Sequence, residues 1–118
     1  MDIERNLTQT ITLFITDSGC INKIENYTTG LSFEEFDQNQ LLIDAVLRNL
    51  EVIGEAAKHV PSEIRQKYSL IPWKNIIGLR NILIHEYFGI DEQIVWEVVT
   101  VDLKNTKPLI EQMMRELQ

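Results

Sequence analysis

Apolar positions recur along this chain at spacings of three and four residues, and no segment alternates convincingly with a period of two. That pattern predicts helices throughout, each turning one apolar stripe towards a shared core. The first helix is predicted from about Asp2 to Tyr27, its stripe marked by Ile3, Leu7, Ile11, Phe14 or Ile15, Ile21 and Ile24. Asp17-Ser18-Gly19-Cys20 is poor helix sequence and is expected to loosen a turn. Thr28-Thr29-Gly30 supplies a stop. The second helix opens on Ser32 with Glu35 three residues later, the capping-box pattern. Its first turn, through Phe33 and Phe36, is expected to break near Asp37, and its main body to run from about Gln38 to His59. Leu42, Val46, Asn49 or Leu50, Ile53, Ala57 and Val60 form the predicted inner stripe. Gly54, Ala56 and Ala57 form a zone of small residues where a neighbouring helix can approach closely.

Pro61 ends that helix and begins a short third one, about Ser62 to Tyr68. The fourth starts at Pro72 and is predicted to reach about Tyr87, with Gly89 as its stop. The fifth begins near Asp91, a suitable N-cap, and runs towards Leu117, with Pro108 expected to kink or interrupt it. The predicted architecture is all-α, an antiparallel bundle of four to five helices in one domain spanning residues 1–118. No repeat, low-complexity tract or linker stands out.

Composition narrows the class. The chain has 118 residues, enough for a sizeable core, and its apolar share of 44% and charged share of 25% are those of a globular protein. It lacks an apolar run of roughly 18 residues, so no membrane span is expected. The start, Met1-Asp2-Ile3-Glu4-Arg5, lacks a basic region followed by an apolar stretch, so no secretory signal is expected. A single cysteine, Cys20, excludes an internal disulfide and a cysteine-based zinc site and fits a reducing cytoplasm. The net charge of −7 argues against a protein that coats nucleic acid non-specifically. It leaves room for a local basic pocket and favours a basic partner or a second subunit that completes the working surface.

The candidate chemistry lies in Arg80-Asn81-Ile82-Leu83-Ile84-His85-Glu86-Tyr87. An arginine can hold a phosphate through two hydrogen bonds, and a histidine can move a proton near neutral pH. On one straight helix, Arg80 and Tyr87 would lie about 20° apart and Arg80 and His85 about 140° apart. Ile76, Ile77, Leu79, Ile82, Leu83 and Ile84 fill nearly every other direction, so this helix is expected to be central and buried on several sides. A two-fold dimer with the helix near its axis would gather Arg80 and His85 of both subunits around one cleft. Plainer readings stand beside these. Arg80 can pair with Glu51 or Glu55, His85 can be a satisfied structural histidine, and Tyr87 an interface aromatic. His59 reads as a helix-end residue. Glu51 and Glu55 lie one turn apart but lack His or Asp companions for a metal. Trp73 and Trp96 read as packing anchors, and Lys104 and Lys107 as solvated.

The segment Arg80-x4-His85-x-Tyr87 resembles the R-x4-H-x-Y signature of the HepT-like branch of the HEPN superfamily. The likeness extends over Ala45-Val46-Leu47-Arg48-Asn49-Leu50-Glu51-Val52-Ile53-Gly54-Glu55-Ala56-Ala57, over Ile71 to Asn81, and over Tyr87-Phe88-Gly89-Ile90-Asp91 with Ile94-Val95-Trp96. This resemblance implies a homodimeric helical bundle acting as the toxin of a type VII-like toxin–antitoxin module. Its activity would be that of a metal-independent ribonuclease on tRNA or mRNA, without a cofactor. Arg80 would bind the scissile phosphate, His85 would serve as general acid or base, and Asn81 would orient His85 or touch phosphate. The partner implied is a minimal nucleotidyltransferase antitoxin that transfers AMP to Tyr87. The alternatives are a non-catalytic helical subunit that binds nucleotide or substrate for a nucleotidyltransferase, and a plain dimeric scaffold.

Overall fold

The computed structural model describes residues 2–16, 19–81 and 91–117. The described residues are all-α, an arrangement of helices without strands. They comprise α1 (Asp2–Ile15), α2 (Cys20–Thr28), α3 (Phe33–Asp37), α4 (Gln40–Ala57), α5 (Ser62–Lys67), α6 (Trp73–Gly78), α7 (Glu92–Glu97), a π-helical turn (Val98–Asp102) and α8 (Leu103–Leu117). No helix among them is long and apolar enough to cross a membrane.

Local chemistry sets most of these boundaries. The Ser32 hydroxyl accepts from the Glu35 amide, and the Glu35 carboxylate accepts from the Ser32 amide, so the capping box forms. Asn39 caps α4 by accepting from Leu42 N, which moves the start of the long helix two residues past the predicted Gln38. Asp91 caps α7 through Gln93 N. The stretch predicted as one helix from Asp2 to Tyr27 is two, because Gly19 stands as the N-cap of a new helix. Pro108, expected to kink or interrupt the last helix, lies inside α8 without ending it. Pro108 and Lys104, whose carbonyl it frees, are both exposed, so water can satisfy that carbonyl. The irregularity falls earlier, where Leu103 N bonds back five residues to Val98 O.

α4 runs through the centre. Ile43, Val46, Leu47, Leu50, Ile53 and Ala57 are buried along it, close to the predicted stripe, and α1, α2, α3 and α6 pack around it. Trp96 closes one end against Phe33 and Phe36, with ring centroids 6.4 and 5.0 Å away, an anchor as the sequence suggested. The predicted face of α1 needs correction. Ile3 and Leu7 are 82% and 45% exposed, whereas Thr8, Ile11, Thr12, Ile15 and Thr16 are buried. Threonine fits this core because Thr8, Thr12 and Thr16 each donate to the carbonyl one turn earlier, at 2.8, 3.0 and 2.7 Å. A buried hydroxyl satisfied by its own helix costs little.

Candidate functional site

The described part of the site is built where α6 meets α4. Gly54 makes this possible: a Cβ there would stand 2.7 Å from the Arg80 amide nitrogen and 2.9 Å from the Ile76 carbonyl oxygen. The small-residue zone predicted in the second helix is therefore the seat of the Arg80 backbone. The fourth helix does not run straight through. α6 ends at Gly78, Leu79 N bonds to Ile76 O at 3.0 Å, and Leu79 and Arg80 form a turn before Asn81. A glycine followed by a tightened last turn is a natural stop. The angles expected from Arg80 to His85 and Tyr87 concern two positions that lie outside the described residues. In the described part of this helix Ile76 is buried, Ile77 and Leu79 are half-buried, and Lys74 and Asn75 are exposed.

Arg80 meets Glu55, one of the two carboxylates the sequence offered. Nε lies 3.5 Å from Glu55 Oε2, with the two side chains 40% and 47% exposed. Glu55 also receives Lys58 Nζ at 3.5 Å and His59 Nε2 at 3.7 Å on its other oxygen. His59, read from the sequence as a helix-end residue, stands just past the end of α4 and reaches the same carboxylate. The sequence held a signal for this: Glu55 and His59 are one helical turn apart. Arg48, Glu51, Val52, Glu55, Ala56 and His59 line a hollow of about 250 Å³ beside it. At this exposure the ion pairs are each worth about 0–1 kcal/mol, so their role is orientation more than stability. Glu55 engages Nε and leaves the terminal nitrogens of Arg80 without a partner among the described residues, the arrangement a phosphate needs for two parallel hydrogen bonds.

Asn81 is exposed at the edge of the described residues. His85 and Tyr87 lie outside them. Trp73 is half-buried, its indole N–H donating to Tyr68 O at 3.0 Å. Lys107, expected to be solvated, instead reaches Glu25 at 2.7 Å and Asn22 at 3.2 Å across the bundle. Among the described residues no group of three or more His, Cys, Asp or Glu side chains converges as metal ligands would.

Residues 18–113 match the family described as Ribonuclease HepT-like, a span that includes α4, α6 and the whole Arg80–Tyr87 segment. The chain belongs to the HepT-like ribonuclease family. Its likeness to curated relatives is of the same extent. A candidate RNase of Caldanaerobacter subterraneus subsp. tengcongensis is 44% identical over 88 residues, which cover 75% of each chain. A candidate RNase of Methanocaldococcus jannaschii is 41% identical over 90 residues, 76% of this chain and 83% of the relative. A Thermococcus cleftensis protein named as a probable HepT ribonuclease is 37% identical over 93 residues, 79% of this chain and 84% of the relative. No solved structure gives a significant match.

Proposed function

We propose that this HepT-like protein is a metal-independent endoribonuclease, the toxin of a type VII-like toxin–antitoxin module, acting on tRNA or mRNA in the cytoplasm. The observation that carries the reading is Arg80: a guanidinium 40% exposed at the end of α6, held on one edge by Glu55, within a segment matched by the family. The terminal nitrogens of Arg80 bind the scissile phosphate and offset the charge that builds on it. The ribose 2′-oxygen gives up its proton and attacks phosphorus. The bond from phosphorus to the 5′-oxygen breaks, that oxygen takes a proton, and a 2′,3′-cyclic phosphate remains. His85 transfers one of these protons, and Asn81 orients it or contacts the phosphate. The acting unit is a homodimer. A minimal nucleotidyltransferase silences it by transferring AMP from ATP to Tyr87: the tyrosine oxygen loses its proton and attacks the α-phosphorus, pyrophosphate leaves, and the negative phosphodiester formed competes for Arg80.

Purified protein made without the nucleotidyltransferase is expected to cleave tRNA or mRNA in EDTA and to leave 2′,3′-cyclic phosphate ends. Arg80→Ala and His85→Ala each abolish cleavage while the circular dichroism of the fold is kept. Retained toxicity in cells expressing either variant would refute the assignment. Inert wild-type protein that binds the nucleotidyltransferase tightly would favour the non-catalytic subunit.

A further inference from the structure

Charge is distributed very unevenly along this acidic chain. Between Lys58 and Arg80 lie five of its eleven Lys and Arg residues and only one of its eighteen acidic residues, Glu63. This segment carries α5 and α6, and between those helices runs an open groove of about 530 Å³. Its lining includes Arg65, Lys74, Ser62, Gln66, Ser69 and Asn75, and no carboxylate. The groove does not end there. Pro72, Lys74 and Asn75 also line a second hollow of about 600 Å³, which carries one carboxylate, Asp102, and continues along α6 to Gly78 and Leu79, the residues before Arg80.

We infer that the α5–α6 groove is the track on which a ribose–phosphate strand lies as it approaches Arg80, an inference that rests on the ribonuclease reading. The groove offers what a nucleic-acid backbone recognises without regard to sequence: fixed cations and neutral hydrogen-bonding side chains. Arg65 Nε donates to Val60 O at 3.0 Å, which holds the guanidinium while its terminal nitrogens keep no partner among the described residues. Lys74 is exposed, likewise unpaired there, and stands where the two hollows meet. Trp73 spends its N–H on the Tyr68 carbonyl and so presents only apolar surface to a base. The remaining six Lys and Arg residues are outnumbered by seventeen carboxylates, so the rest of the chain is less favourable to a phosphate strand than the α5–α6 groove.

The test uses a fully 2′-O-methylated RNA oligonucleotide, which lacks the attacking hydroxyl and so reports binding alone, read by fluorescence anisotropy at several salt concentrations. Lys74→Glu should weaken binding at least about tenfold and lower the salt slope by about 1. Lys23→Glu, an exposed change on α2, should alter affinity less than about twofold. Equal weakening by both variants, or wild-type affinity in Lys74→Glu, would overturn the track. If Lys74→Glu binds RNA normally but loses the nucleotidyltransferase, the groove is a protein-docking face and the inference fails. Cleavage of ordinary RNA by the same wild-type preparation separates the two claims: cleavage with a normal Lys74→Glu sinks only the track. Neither cleavage nor oligonucleotide binding sinks both.

Discussion

At the scale of single residues, two buried groups make opposite demands. Cys20 is 4% exposed, and burial raises its thiol above the ordinary value of 9.0, with Lys23 pulling weakly the other way. A raised value in the fold means that the unfolded thiol ionises first. The contribution of Cys20 to stability is therefore complete below about pH 9 and is lost as pH rises through the higher folded value. Denaturant midpoints should fall more steeply between pH 8 and 10 for wild type than for Cys20→Ala. The native thiol should also react with a disulfide reagent far more slowly than the unfolded one. Tyr68 is the contrasting case. Its hydroxyl is shut away from water with no partner in good hydrogen-bond geometry among the described residues, and burial first, then the nearby Glu116 carboxylate, push its pKa above the ordinary 10.0. Tyr68→Phe removes an unsatisfied group and keeps the ring, so thermal unfolding should show no loss, or a gain of up to about 1 kcal/mol. A clear drop in melting temperature would reveal a partner for that oxygen.

At the scale of elements, the close approach of α4 and α6 is the contact on which the site depends. Gly54→Ala would drive a methyl group into the Arg80 amide and the Ile76 carbonyl, both backbone atoms that cannot swing aside. The two helices must separate, at a cost of about 1–3 kcal/mol. Arg80 moves with its backbone, so RNA cleavage should fall by about a hundredfold in protein that still folds, as measured by initial rates beside a thermal melt. The small-residue zone of α4 was legible in the sequence, as were its apolar stripe and the Ser32–Glu35 box, because each depends on neighbours within a turn or two. The face of α1 was legible only in part: Ile11 and Ile15 are buried as expected. Ile3 and Leu7 suggested the buried side, but threonines that bond to their own helix are as easily buried as aliphatics, and their polarity conceals it. The stop at Gly78 was equally hidden, since the apolar pattern continues past it while the backbone turns. The Glu55–Arg80 pair was narrowed to two carboxylates by residue type, and only the packing of α4 on α6 chose between them.

At the scale of the whole molecule, one chain leaves apolar surface exposed. Ile3, Leu7 and Leu13 on α1, Leu41, Leu70 and Ile94 all lie 45% exposed or more. A two-fold dimer that gathers Arg80 and His85 of both subunits in one cleft makes a prediction that separate sites cannot. In a mixed dimer of Arg80→Ala and His85→Ala subunits, one subunit keeps its arginine and the other its histidine. If catalysis pairs the arginine of one copy with the histidine of the other, that dimer holds one complete pair and one empty one. Random mixing makes half of the dimers mixed, so two inactive proteins unfolded and refolded together should recover roughly a quarter of wild-type cleavage. If each subunit carries its own pair, every site in the mixture lacks one group and no activity returns. Size-exclusion chromatography of the same samples shows whether dimers form, so a silent mixture of intact dimers would reject the shared cleft and leave the assignment of Arg80 and His85 to be judged by the single variants.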